Sequence, residues 1–305
     1  MMLLKKELQS DLNVVFLENL FTEDGKINDI AASGAGAAML KAAGFNAAAC
    51  GFSGAYEKGE AGIDSTSRLL EENGIRPLGL CREGNTESVP IIPLNGIRVA
   101  MLQYTDTISA AARKKMEKNG QENLIPAADP DAVAADIDRA RKQGCEVVIV
   151  LLNWGRNGKA PDKNMRIKAQ QIADAGADLI IGNGSRVVSG AEMLTAGDDK
   201  RQVLCIWSLG TTLSGNRNNI SRIAGMMLQV TVRVEDGRVE TPEACYIPLY
   251  TWKYRQDSRT YYRCLSANRA VPDGMDAEQQ KMMKRAAETV QKTMKDSPLE
   301  EKKNE

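Results

Sequence analysis

Residues 146–155 read EVVIVLLNWG. The apolar run from Val147 to Leu152 does not alternate with polar residues. That pattern marks a strand covered on both faces, as in the middle of a parallel sheet. Asp129-Pro130 opens the helix before it, with an N-cap residue and a first-turn proline, and Gly144 closes it. Downstream, Asn164 to Ala175 reads as a helix closed by Gly176, and Leu179 to Gly182 as the next strand. Val203 to Leu209 (VLCIWSL) is a further strand. Strand and helix therefore alternate on both sides of this run, the signature of an α/β domain.

The upstream third extends the alternation. Asn13 to Leu17 and Phe45 to Cys50 read as strands, with an Ala-rich helix over Ala31 to Ala43 between them. Gly62 to Asn73 is an amphipathic helix with Ile63, Leu69 and Leu70 on one face, and Ile75 to Leu80 follows as a strand. Asn95-Gly96 between two apolar runs predicts a hairpin over Ile91 to Tyr104. Thr105 to Ala128 is polar and reads as a surface excursion with a short helix. Ala224 to Val234 and Arg238 to Ile247 form a second expected hairpin about Glu235-Asp236-Gly237. Asp276 to Lys295 is a helix with Met282, Met283, Ala286 and Val290 on one face, suited to docking on the body. The tail SPLEEKKNE reads as disordered. The expectation is one domain over residues 1–265, then a C-terminal helix and charged tail over 266–305. With hairpins inserted among the helix–strand units, the sheets should be mixed.

Composition narrows the chemistry. Forty Lys and Arg balance forty Asp and Glu among 305 residues, so no overall field draws the chain to nucleic acid. There is no histidine, which excludes His triads, His bases and His metal ligands. Six cysteines lie too far apart for a zinc ribbon, and Cys50, Cys145 and Cys205 sit in apolar runs suited to buried free thiols. Lys5, Lys6 and Glu7 interrupt the opening MMLLKKELQSDLN, which is not read as a signal peptide. No run reaches membrane-spanning length.

The strand-end loops carry a resemblance. LENLFT (17–22), AAGFNAAACGFSGAYEKGEAG (42–62), VVIVLLNWG (147–155), AGADLIIGNGSRVVSGAE (175–192), IWSLGTTL (206–213) and YIPLYTW (246–252) resemble, in order, motifs of the CapA family of bacterial capsule synthesis proteins, linked to poly-γ-glutamate. The resemblance implies a calcineurin-like metallophosphoesterase fold, an α/β/β/α sandwich with mixed sheets. Scaffold residues match: Gly44-Phe45, Trp154-Gly155, Gly176-Ala177-Asp178, Gly182 and Ser208-Leu209-Gly210. Residues of ligand type do not. Glu18 falls on the family's Glu, but Phe16 stands at the position of a metal-site Asn. Ser53 and Gly54 replace Asn-His, Asn153 replaces His, Asn183 and Arg186 replace two His, and Thr211 replaces Asn. The family's first strand, ending in Gly-Asp, has no counterpart before Asn13, so the expected fold lacks that strand.

The resemblance thus implies a divalent metal whose ligands this chain does not retain, and the expected cofactor is none. The candidate ligand cleft is Glu18, Ser53, Asn153, Trp154, Asn183, Arg186 and Thr211. One carboxylate with neutral amides is a poor transition-metal set, although Mg²⁺ could use Glu18 with amide oxygens and water. Arg186 could hold a carboxylate or phosphate by a two-pronged contact; the alternative is a solvated loop residue. Trp154 could stack on a ligand or fill the core. The expected function is a non-catalytic binding or scaffold component of capsule or envelope-polymer synthesis. Its partners would be an anionic polymer such as poly-γ-glutamate and other capsule-synthesis proteins, with no nucleic acid. The alternative is a divergent metal-dependent hydrolase. The resemblance implies membrane-associated or extracellular action.

Overall fold

A computed structural model describes residues 7–23, 27–28, 30–81, 89–121, 124–197, 200–215, 217 and 219–302. In chain order the elements are β1 (Val14–Phe16), β2 (Leu20–Thr22), β3 (Ala31–Ser33), α1 (Ala35–Ala43), β4 (Ala47–Ala49), α2 (Glu60–Glu72), β5 (Arg76–Leu78), β6 (Ile91–Leu94), β7 (Ile97–Thr105) and α3 (Ala110–Asn119). They continue as α4 (Pro130–Lys142), β8 (Val147–Asn153), α5 (Lys163–Asp174), β9 (Leu179–Asn183), β10 (Ala191–Ala196), β11 (Arg201–Ile206) and β12 (Ala224–Thr231). The last are β13 (Val234–Glu235), β14 (Arg238–Val239), β15 (Glu243–Gln256), β16 (Arg259–Ser266), α6 (Ala277–Met294) and β17 (Glu300–Glu301).

The run that opened the sequence, β8, lies inside a six-stranded sheet ordered β10-β11-β9-β8-β7-β6. Its pairings with β7 and β9 are parallel, while β6 and β10 join antiparallel at the two edges. Side chains alternate across a strand, so the run feeds two cores. Val148, Val150 and Leu152 meet Val133, Ile137, Ala169 and Ile172 of α4 and α5. Val147 and Leu151 meet Ala47, Ala49 and Leu78 of a three-stranded sheet ordered β1-β4-β5. The far side of that smaller sheet presents Ala48 and Cys50 to α1 and α2 through Leu40, Leu69 and Leu70. The layers are helix, sheet, sheet, helix, the sandwich the resemblance implied. Beside them β12, β15 and β16 form an antiparallel sheet. It shares an apolar cluster with Leu179, Leu204 and Ile206 of the main sheet and with Met283, Ala286 and Val290 of α6.

Two side chains fix how the layers meet. Asp178 is buried, accepts the Val148 N–H at 2.7 Å and pairs with Arg141 at 2.7 Å and Arg201 at 3.6 Å. One carboxylate thus ties α4 and β11 to β8, which accounts for Gly-Ala-Asp among the matching scaffold residues. Gln103 of β7 joins the two sheets. Its amide accepts the Gly51 N–H at 2.7 Å and donates to the Gly51 carbonyl at 2.9 Å. Gly51 and Gly79 follow β4 and β5, and both must lack side chains. A Cβ at Gly51 would stand 2.6 Å from Gln103 Oε1, and one at Gly79 only 1.4 Å from it.

The structure departs from the sequence expectation in several places. Ala31 to Ser33 is not helical but pairs in parallel with Leu20 to Thr22, and α1 begins at Ala35. The Thr22 carbonyl accepts the Gly34 N–H at 3.0 Å, so strand pairing prevails over the helix propensity of alanine. The polar excursion after Thr105 is anchored, because Ala112, Met116, Leu124 and Ile125 are buried with Tyr56 and Ile63. The second hairpin forms as expected about Glu235-Asp236-Gly237, but its ladder is interrupted: β13 pairs with β14 next to the turn, and β12 pairs with Glu243 to Tyr250 of β15 in a register one residue further on. The tail is ordered through residue 302. Leu299 is buried and β17 pairs in parallel with Cys245 and Tyr246; residues 303–305 of the expected disordered tail lie outside the described residues. The Met/Ala face of α6 docks on the body as its spacing predicts. All six cysteines are free thiols.

Candidate ligand cleft at the strand ends

Parallel strands present their C-terminal ends together, and the loops beyond them are where α/β folds place ligands. Thr105, Asn153 and Asn183 end β7, β8 and β9 and stand side by side in register. The Asn183 carbonyl accepts the Trp154 N–H at 2.8 Å, and the Asn153 carbonyl accepts the Asp106 N–H at 2.8 Å. Both asparagines are buried. The Asn153 amide donates to Glu18 Oε1 at 3.0 Å, bringing in the loop after β1.

Arg186 approaches the same carboxylate from the other side, with Nε 3.5 Å from Glu18 Oε2. The pair is unequal: the Glu18 side chain is 23% exposed and that of Arg186 52%. Burial pushes the Glu18 carboxyl above its ordinary pKa, while the Arg186 charge and the Asn153 and Arg186 hydrogen bonds pull the other way.

The loop carrying Arg186 is held tightly. Arg186 has φ +63°, a left-handed conformation that costs free energy unless its surroundings enforce it. Thr211 Oγ1 donates to the Arg186 carbonyl at 3.0 Å, Ser185 Oγ donates to the Val187 carbonyl at 2.9 Å, and the Ser185 carbonyl accepts the Gly158 N–H at 2.8 Å. Gly184 has φ +114°, and a Cβ there would lie 2.6 Å from the Trp154 carbonyl oxygen.

Trp154 is a core residue. It is 2% exposed, its indole N–H donates to the Trp207 carbonyl at 3.0 Å, and its ring stacks on Trp207 at 5.5 Å. Packed in the core against Trp207, it has no free face for a ligand. Of the seven candidates, Glu18, Asn153 and Arg186 form one polar cluster. Asn183 stands beside it through strand register, and Thr211 braces its loop. Ser53 stands apart: its carbonyl accepts the Ser109 N–H at 2.8 Å, and no hydrogen bond among the described residues joins it to that cluster. Two further residues lie here: Ser208, which the sequence reads as scaffold, and Thr105, which it does not single out. Ser208 donates to Asn183 Oδ1 at 3.4 Å. Thr105 keeps a buried hydroxyl with no partner among the described residues. Its only sequence signal is its place at the end of an apolar strand.

Residues 3–216 match the family described as "Bacterial capsule synthesis protein PGA_cap", and the chain belongs to that family. It is 26% identical over 176 residues to the capsule biosynthesis protein CapA of Bacillus anthracis, a match covering 56% of this chain and 40% of that protein. It is 31% identical over 101 residues to the PGA biosynthesis protein CapA of Bacillus subtilis (strain 168), covering 33% of this chain and 25% of that one. The matches thus span less than half the length of either relative. Among solved structures, a hypothetical protein from Thermus thermophilus aligns with TM-score 0.48 at 14% identity, covering 80% of this chain and 90% of that one. The calcineurin-like phosphoesterase YfkN from Bacillus subtilis aligns with TM-score 0.36 at 11% identity, covering 85% and 73%.

The donor set does not fit the divalent metal that the resemblance implied. The cluster offers one carboxylate, already facing a guanidinium 3.5 Å away, and the neutral amide of Asn153 turns its N–H₂ end to that carboxylate. A cation placed at Glu18 would meet the positive charge of Arg186 at close range. Among the described residues no three His, Cys, Asp or Glu side chains converge on one point.

Proposed function

We propose that this chain is a non-catalytic binding or scaffold component of capsule or other envelope-polymer synthesis. The observation that carries the reading is the Glu18–Arg186 pair, an internal ion pair where a hydrolase of this family would gather metal ligands. Glu18 faces the Nε edge of the guanidinium, and half of the Arg186 side chain remains open to solvent. That outer edge is free to take a carboxylate from an anionic polymer, because a planar guanidinium presents donors along more than one edge. The arrangement suits gripping an anion, and the one carboxylate of the cluster is already engaged by Asn153 and Arg186, which supports binding over activation of a water.

The test is metal content and turnover measured together. The purified protein is incubated with Mn²⁺, Fe²⁺, Zn²⁺ or Mg²⁺, desalted and analysed, then assayed against a phosphoester and poly-γ-glutamate. The expected result is no stoichiometric ion and no cleavage, with retention of the polymer. One or two ions per chain together with cleavage overturns the reading in favour of a divergent hydrolase.

A further inference from the structure

The antiparallel sheet continues past its own edge. β12 pairs with β15 only as far as Tyr250, whereas β15 and β16 stay paired out to Gln256 and Arg259. Beyond Thr251 a two-stranded ribbon projects, closed by Asp257 and Ser258 with φ +47° and +62°, the geometry of a tight two-residue hairpin turn. It lies outside the residues that match the family.

Its composition departs from that of the whole. The chain is balanced at forty cations and forty anions, yet residues 253–263 (KYRQDSRTYYR) hold Lys253, Arg255, Arg259 and Arg263 against Asp257 alone. All four cationic residues are exposed, and none joins an ion pair among the described residues. Register sorts them by face. Lys253 and Arg255 share one face with Tyr262 and Thr260; Arg259 and Arg263 share the other with Gln256, Tyr254, Tyr261 and Trp252. Neighbours on one face of a strand stand about 7 Å apart, so each face carries spaced positive charge along the ribbon.

The aromatic rings hold this arrangement in place. Trp252 stacks on Tyr254 at 4.4 Å, Tyr254 on Tyr261 at 5.3 Å, and the Arg263 guanidinium lies over Tyr254 at 4.9 Å. On the other face Lys253 lies over Tyr262 at 5.8 Å. Rings engaged with each other and with cations offer few free faces for nucleobases. The tip residues Gln256, Asp257 and Ser258 supply no apolar wedge for a lipid surface. What remains is two exposed cations on each face of the ribbon, a spacing that suits the repeated carboxylates of a flexible chain.

We propose that the 252–263 ribbon is a docking arm for a flexible polycarboxylate chain. This rests on the binding reading above and adds a second contact, separate from Arg186. Two contacts on one polymer strengthen each other, because the second forms within one complex.

The experiment is binding of the full chain to labelled poly-γ-glutamate, with single-stranded oligothymidine and phosphatidylglycerol vesicles in parallel. The Lys253→Gln/Arg255→Gln/Arg259→Gln variant should bind the polymer about tenfold more weakly at about 0.1 M salt, as expected for three screened contacts. Its thermal transition should match the wild type; if it melts lower, Arg259→Gln alone should still weaken binding measurably. Wild-type binding should fall as salt rises. Unchanged affinity in the ribbon variant, with loss in Arg186→Ala, overturns the arm and leaves the cleft reading standing. Failure of the wild type to bind polyglutamate overturns both. Tighter binding of DNA or vesicles, lost in the ribbon variant, overturns the polycarboxylate assignment.

Discussion

Arg186→Ala should destabilise the protein more than Glu18→Gln, although both remove the same ion pair. At 3.5 Å and an effective dielectric of about 20, the gross attraction is about 5 kcal/mol. The half-open guanidinium is screened by water and the carboxylate has lost hydration, so the net coupling falls to about 1 kcal/mol. The two truncations leave different remainders. Without Arg186, a largely buried carboxylate keeps, among the described residues, the Asn153 amide alone, at a cost of about 1–3 kcal/mol. In Glu18→Gln, the Arg186 side chain turns to solvent and the new amide oxygen still accepts from Asn153, so the cost stays under about 1 kcal/mol. The double variant should be close to Glu18→Gln alone.

The pH dependence gives the sign. The Glu18 carboxyl already lies above its ordinary pKa, and Arg186 is the leading influence pulling it down. In Arg186→Ala it rises further, so the native state binds its proton more tightly than the unfolded chain does. Stability is then whole below the unfolded carboxyl pKa and falls as pH rises through the native one. Urea titrations of the four proteins at pH 4 and pH 7 read this directly. If Arg186→Ala costs no more than Glu18→Gln at pH 7, and the two effects simply add, the ion pair is a surface accident and the reasoning fails.

The same pair predicts a change in affinity: Glu18→Gln should tighten polyglutamate binding, because an internal competitor for the guanidinium is gone, and equilibrium binding at constant salt checks it. Gly182→Ala should lower the melting temperature sharply, since its Cβ would lie 2.2 Å from Trp154 Nε1 and 2.4 Å from the Trp207 carbonyl oxygen; a melting point within two or three degrees of wild type, about 1 kcal/mol, would contradict the packing described. Truncation after Ser297 removes the buried Leu299 and the β17 pairing and should cost about 1–3 kcal/mol, read by chemical denaturation; no loss would show that strand to be dispensable. Burial pushes the Cys50 and Cys264 thiols up to about 12, so at pH 8 iodoacetamide should label the half-buried Cys81 and Cys245 first, and equal labelling of all four in the folded state would refute it.

The sequence carried the architecture where pattern and burial coincide. An unbroken apolar run such as Val147 to Leu152 has few folds open to it, and the glycines after α1, α4 and α5 punctuate what lies between. It could not carry Ala31 to Ser33, because alanine accepts helix or strand and only Leu20 to Thr22 decides. It could not carry β17 either: main-chain pairing is indifferent to the charged side chains around Leu299. At the candidate cleft the residue types were legible and their pairing was not. Glu18 and Arg186 belong to loops on different sheets, so nothing local in either stretch announces that one neutralises the other. Trp154 shows the converse, since Trp-Gly at a strand end reads as a ligand platform or as core filling, and its burial, its stacking on Trp207 and its hydrogen bond to the Trp207 carbonyl decide for the core.

The Gln103 amide between the two sheets has a mechanical consequence. A side-chain amide that both donates to and accepts from one glycine is a two-bonded rung between the sheets, beside the single bonds from Arg76 to the Ile91 carbonyl and from Asn153 to Glu18. Apolar contacts tolerate sliding, whereas a two-bonded rung does not. The strand-end loops that carry Glu18 and Asn153 are therefore set at one spacing, and the half-open Arg186 side chain is the least confined member of the cluster.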